Sequence, residues 1–252
     1  MEGDLSTFVH HLHEPTASGS LSDITGINES QLGSYIYSPI ELNTEEIFPA
    51  SNFGSQVAPF YIALSMWVGA IITCVIVKPG TSVGTKYTPV EMYFGKLGLF
   101  LILSLLQGCV TVGGLTILGI DIVNPPLFIF SALLVSVVFM TLIYSLISAL
   151  GLVGEAIAVI LLVLQISGTG GIYPIEIMDP FFKTLYPYLP MTYGINLIRG
   201  SLLGVVWPNY FTALGVIIGI GIVTLVLGTL AKVKADRATK YIDNRLKDSG
   251  LF

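Results

Sequence analysis

The chain has 252 residues, 53% hydrophobic and 11% charged, with a mean hydropathy of +0.82, a balance that excludes an ordinary soluble domain. Its net charge of −5 hides an asymmetry: residues 1–57 carry eight acids and no Lys or Arg, and the remaining eight acids face 11 basic residues, for a balance of +3. Those basic residues lie beside apolar segments and along one tail, which excludes nucleic acid as a partner.

Residues 1–57 read as the remnant of an extracellular domain. No basic stretch precedes an apolar core, so no signal peptide is expected. Leu5, Phe8, Val9 and Leu12 fall at helical spacing. His10, His11 and His13 read as a solvated face, because no carboxylate or cysteine completes a metal site at recognisable spacing.

Five charge-poor segments follow, at 58–77, 97–119, 127–150, 156–172 and 209–231. Each is near the length of a spanning helix, and a single Lys or Asp at the bilayer centre would cost about 2.5–3.5 kcal/mol on insertion scales. The expected fold is an all-α integral membrane protein with five transmembrane helices, a membrane domain over 58–231 and a cytoplasmic basic tail over 232–252.

Between the first two segments, KPGTSVGTKYTPVEMYFGK begins on a Pro-Gly turn. Thr88 is placed to cap a short helix with Pro89 at its first position and Glu91 at its third. That helix is either an interface element ahead of the second span or a solvated turn whose lysines fix topology. The second and third spans form a hairpin closed by IDIVNPP, residues 120–126. Gln107 and Gln165 lie mid-span and read as interhelical hydrogen-bonding residues, worth about 1 kcal/mol each. Cys74 and Cys109 lie inside spans without CxxC spacing and read as packing residues.

Residues 168–204 break the pattern. Gly168, Gly170 and Gly171 precede Pro174, Pro180, Pro187 and Pro190, with Glu176, Asp179 and Lys183 among them. No single lipid-facing helix tolerates that density of breakers and charges. Asp179 is a good N-cap with Pro180 at the first helical position. From Met191, the residues Ile195, Ile198 and Leu202 recur at helical spacing, with Asn196 and Arg199 on the other side. The segment reads as a broken helical hairpin lying in the extracellular interface, with Phe181, Phe182, Tyr186 and Tyr188 as its aromatic belt; the alternative is an ordinary long loop. In the last span, Gly215 and Gly219 form a small-xxx-small face. Ala235, Ala238, Ile242 and Leu246 in the tail make a stripe suited to the inner leaflet.

With five spans, nine Lys and Arg fall on one side and only Lys183 and Arg199 on the other. By the positive-inside rule the N-terminus is outside a plasma membrane and the C-terminus cytoplasmic.

Residues 38–70, SPIELNTEEIFPASNFGSQVAPFYIALSMWVGA, carry a resemblance. The series Ser38-Pro39, Asn52-Phe53-Gly54, Ala58-Pro59-Phe60 and Leu64 to Ala70 resembles that of the YhgE/Pip (phage infection protein) family, and the likeness extends over roughly residues 38–234. Pro59 there suits a first helical turn. Family membrane regions are similar to type 2 ABC exporter permeases. The resemblance implies a permease that exports an unknown substrate, membrane lipid around it, and either a homodimer or pairing with another membrane subunit. It also implies a separate ATPase docking on a coupling loop formed by Lys86, Thr88, Pro89, Glu91 and Lys96. An extracellular gate would be formed by Gly168, Gly170, Gly171, Pro174, Glu176, Asp179 and Pro180. It leaves open a non-transporting alternative, a membrane anchor or surface receptor. No phosphate-binding loop, nucleophile elbow or zinc signature is present, so neither catalysis nor a cofactor is expected.

Overall fold

The structure, a computed structural model, describes residues 53–79 and 87–248, with side chains as far as Lys234. The remnant as far as residue 52, its histidines and Lys86 lie outside the described residues. All described elements are helical: α1 Phe53–Val77, α2 Pro89–Ile117, α3 Pro125–Leu150, α4 Leu152–Gly168, α5 Pro180–Leu185, α6 Pro190–Leu203 and α7 Trp207–Asp248. Short 3-10 turns stand at Ile175–Ile177 and Tyr186–Tyr188.

Four helices are long and apolar enough to cross a membrane: α1, α2, α3 and the part of α7 over Trp207–Lys234. Helix α4 is apolar but has only 17 residues, about 25 Å at the α-helical rise. Proline opens α2, α3, α5 and α6 at the first position or two, where its missing N–H would have had no partner. Pro59 is different: α1 starts at Phe53, ahead of the expected span at 58–77, so Pro59 lies inside the helix and is buried.

The bundle is organised around α3, which packs against α1, α2, α4, α6 and α7. Its register is set by pairs at matched depth. Trp67 of α1 meets Phe139 at 5.1 Å between ring centroids. A Cβ on Gly221 of α7 would lie 3.3 Å from Val138, and one on Gly228 would lie 2.7 Å from the Cβ of Ser145. Helices α1, α3 and α7 therefore start at one level and run the same way. Helix α2 runs against them, with Ser136 Oγ donating to the Ser104 carbonyl at 2.8 Å and Tyr93 Oη bonded to Ser145 Oγ at 2.6 Å. Trp67 Nε1 donates to the Ala158 carbonyl at 3.3 Å, and Gly171 packs on Phe60, so α4 runs antiparallel to α1. The α3–α4 turn is closed by Gly151 at φ 59°. Gly154 follows and sits against the Leu146 carbonyl, where no Cβ would fit.

Four expectations need correction. The capped helix at Thr88 is not a separate interface element: it continues unbroken into the span as α2. The last span and the tail are likewise one helix, α7. Among the described residues a Cβ on Gly215 or Gly219 would meet nothing within 4 Å, and the glycines of α7 that admit close neighbours within the bundle are Gly221 and Gly228. The hairpin, finally, is not laid along an interface. Its second arm α6 is packed among α1, α3 and α7. Gly194 faces Val135 and Phe139, while the Leu202 carbonyl accepts from Val123 N–H at 3.0 Å, so α6 climbs from mid-depth of α3 to its start. The stripe Met191, Ile195, Ile198 and Leu202 is fully buried, and so is Leu197 on the flank. Apolar side chains on more than one face make burial in protein more favourable than a lipid boundary.

Candidate functional site

At the end where α1, α3 and α7 begin, the chain forms a half-open cavity of about 680 Å³. One wall is the first turns of α1, including Phe53 and Gln56. Opposite stand the first turns of α7, with Asn209 and Tyr210. Helix α6 packs against both helices and contributes Asn196 and Arg199, one turn apart on its polar side. The strand of chain leaving α4 closes the cavity with Gly170, Gly171, Pro174 and Glu176.

Each wall has a local cause. Gly170 turns the chain at φ 62°, a conformation glycine adopts without Cβ strain. Gly171 lies flat on the Phe60 ring, leaving its carbonyl free to accept from Arg199 Nη2 at 3.4 Å. Pro174 precedes the first 3-10 turn. Lys183 Nζ donates to the Glu176 carbonyl at 2.7 Å, which ties α5 back onto that turn. Asp179 Oδ1 accepts from Phe181 N–H at 2.9 Å, the expected cap. Thr192 Oγ1 donates to the Tyr186 carbonyl at 2.9 Å and Tyr193 Oη to the Pro187 carbonyl at 2.8 Å, pinning α6 to the second 3-10 turn.

Of the seven residues expected to form a gate, the cavity gathers Gly170, Gly171, Pro174 and Glu176. Gly168 is buried beneath Leu189, and Asp179 with Pro180 serves the start of α5 outside the cavity. Missed from the sequence were Gln56, Asn196, Arg199 and Asn209. A signal existed for two of them, the polar side of α6, and Arg199 also stands out as one of only two basic residues against the charge split.

At the opposite end, the capping box is complete: Thr88 Oγ1 accepts from Glu91 N–H at 3.3 Å, and Glu91 Oε2 accepts from Thr88 N–H at 2.8 Å. Thr88 and Glu91 are exposed, Pro89 and Lys96 half-buried. One turn on, fully buried Tyr93 holds Ser145 through its hydroxyl, and its carbonyl accepts from Tyr144 Oη at 2.7 Å. Gly228 of α7 sits against both Tyr93 and Ser145. The exposed turn is thus locked to α3 and α7 through a buried clasp.

Four apolar spans, a half-length helix folded into their core and a cavity of mixed polar and apolar lining at one end describe a multi-pass integral membrane protein. The chain belongs to the ABC-2 family of transporter proteins: the family described as "ABC-2 family transporter protein" matches residues 13–230. It is also similar to the "Uncharacterized protein YhgE" of Bacillus subtilis (strain 168), 27% identical over 190 residues that cover 75% of this chain and 24% of that one. The chain thus spans about a quarter of that relative's length. No solved structure matches.

Proposed function

We propose that the chain is the permease domain of an ATP-driven exporter, with the capped start of α2 facing a separate ATPase subunit and the cavity end facing out of the cell. The observation that carries this reading is the clasp of Tyr93, Tyr144, Ser145 and Gly228, which joins an exposed, capped turn to α3, the helix at the centre of the bundle, and to α7, whose first turns line the cavity. A push on residues Thr88, Pro89, Glu91 and Lys96 finds no soft joint before α3 and α7. Lys86, outside the described residues, belongs to the same surface in this proposal. Helix α4 acts as a fifth crossing, short because the chain breaks at Gly168–Gly171 to form the extracellular hairpin and gate. Residues 58–231 make the membrane domain, preceded by the last part of an outer domain and followed by a basic cytoplasmic tail. Two copies, or this chain and another membrane subunit, would complete the exporter.

The test is co-purification and reconstitution with candidate ATPase subunits. Thr88→Ala with Glu91→Ala removes both halves of the capping box, at a cost of about 0.5–2 kcal/mol to the first turn of α2. ATP turnover stimulated by the membrane chain should fall several-fold while the helix content of the bundle stays unchanged. An ATPase that binds and turns over equally with both chains would refute the coupling role. Stable insertion with no ATPase retained at all would favour a membrane anchor or receptor instead.

A further inference from the structure

Arg199 is the one strong cation on the cavity wall, and its circumstances are unusual. A guanidinium offers five N–H donors. Arg199 uses one of them, in a long bond to the Gly171 carbonyl at 3.4 Å, and forms no ion pair among the described residues. It is half-buried, and the cavity lies in front of it. It stands one turn before Leu202, whose carbonyl meets Val123 at the start of α3. That puts its Cα about 4.5 Å along the helix axis from that level, at three residues of rise, and so near the edge of the apolar layer rather than in its middle.

A partly desolvated cation without an anion is unfavourable, and in or near a bilayer it is retained where it has a counter-charge or a polar path to serve. Around it are the amides of Gln56 from α1, Asn196 from α6 and Asn209 from α7. Helix α1 and the consecutive helices α6 and α7, more than a hundred residues further on, bring uncharged donors to the same cavity as the guanidinium. The carboxylate on the wall, Glu176, is exposed and makes no ion pair with Arg199. The amides can turn their NH2 groups to the same side as the guanidinium, and a cation flanked by orientable N–H donors is the arrangement that takes an oxyanion. The volume falls within the range of about 300–1,000 Å³ usual for small-molecule sites.

We propose that this cavity is a binding site for an anionic phosphate group, with Arg199 as its bidentate anchor and Gln56, Asn196 and Asn209 as amide donors. The apolar part of the rim, Phe53 and Val206 among it, suits the carbon chain next to a lipid headgroup; a soluble organophosphate would use the same donors. The site does not require that the bound molecule be carried across the membrane, so it stands or falls apart from export.

The experiment is native mass spectrometry of the full chain released from vesicles of equimolar phosphatidylglycerol and phosphatidylcholine. The wild-type chain should retain phosphatidylglycerol in preference to phosphatidylcholine. Arg199→Gln should reduce that retention about tenfold, the size of one lost charge-assisted hydrogen bond. Asn209→Leu, at an exposed position that does not hold the fold, should weaken it several-fold. Lys78→Gln, which removes a cation at the opposite end of the bundle, should change nothing. A parallel titration with glycerol 3-phosphate and inorganic phosphate separates the sources. Displacement of the lipid by either, or binding of either without lipid preference, supports the phosphate site and in the second case assigns it to a soluble compound. Equal retention of both lipids together with no binding of either phosphate would overturn the proposal, as would phosphatidylglycerol retention unchanged in both Arg199→Gln and Asn209→Leu.

Discussion

Gln107 donates through Nε2 to the Ser65 carbonyl at 2.9 Å, and its amide occupies the space that a Cβ on Gly69 would need. It joins α1 to α2. Gln165 has the same side chain in an apolar helix, but it is fully buried and neither its Nε2 nor its Oε1 has a partner among the described residues. From the sequence the two are indistinguishable, because a mid-span amide states a need for a partner and says nothing about whether one is met. The two should therefore respond to the same substitution with opposite signs. Gln107→Leu loses an interhelical bond and should lower stability by about 0.6–1.7 kcal/mol. Gln165→Leu removes two unsatisfied buried groups and should raise it by about 1–3 kcal/mol. Thermal unfolding of each variant in one detergent reads both signs. A loss of stability in Gln165→Leu would mean that the amide has a partner after all.

Helix α4 shows how elements rather than residues settle topology. Its start is fixed to the end of α3 by the Gly151 turn, and its other end reaches Leu189 and, through Gly171, Phe60. Its length is about 25 Å against a hydrocarbon core of about 30 Å. In a Cys74→Ala, Cys109→Ala background, single cysteines at Val153 and Tyr173, both exposed, should react with a membrane-impermeant thiol reagent from opposite sides. Labelling of both from one side would make α4 a re-entrant helix. Four of the five expected spans were legible because charge-free runs of this length have few other uses, and Pro89, Pro180 and the Thr88 box marked where helices start, whereas Pro59 did not. The depth of α6 was not legible. Its period shows which face is apolar, but burial of Leu197 on the flank depends on α1 and α7, helices more than a hundred residues apart in sequence from one another. The cavity was hidden for the same reason: Gln56, Asn196 and Asn209 meet only once three helices are in register.

At the scale of the whole molecule, basic residues are divided unequally between the two ends of the bundle. Among the described residues, Lys78, Lys96, Lys232 and Lys234 gather where α1 ends, α2 begins and the apolar part of α7 stops. Lys232 Nζ donates to the Ser148 carbonyl at 3.3 Å, so one of these cations is part of the bundle's packing as well as its address. At the cavity end stand only Lys183, tied to the Glu176 carbonyl, and Arg199. Basic residues near span ends are retained on the cytoplasmic side, while acidic ones contribute little, so the acidic stretch before α1 is no obstacle to an outward N-terminus. A fluorescent protein fused after Phe252 should therefore fold and fluoresce in the cytoplasm. Alkaline phosphatase at the same position should be inactive, and alkaline phosphatase fused after Tyr173 should be active outside. Exchanging Lys78, Lys96, Lys232 and Lys234 together for Gln should erode that contrast, because they are four of the nine basic residues expected on the cytoplasmic side. The reverse reporter pattern in the unmodified chain would turn the Thr88 turn outward, where no ATPase could reach it, and the coupling role proposed for that turn would be lost even though the bundle, the clasp and the cavity kept their geometry.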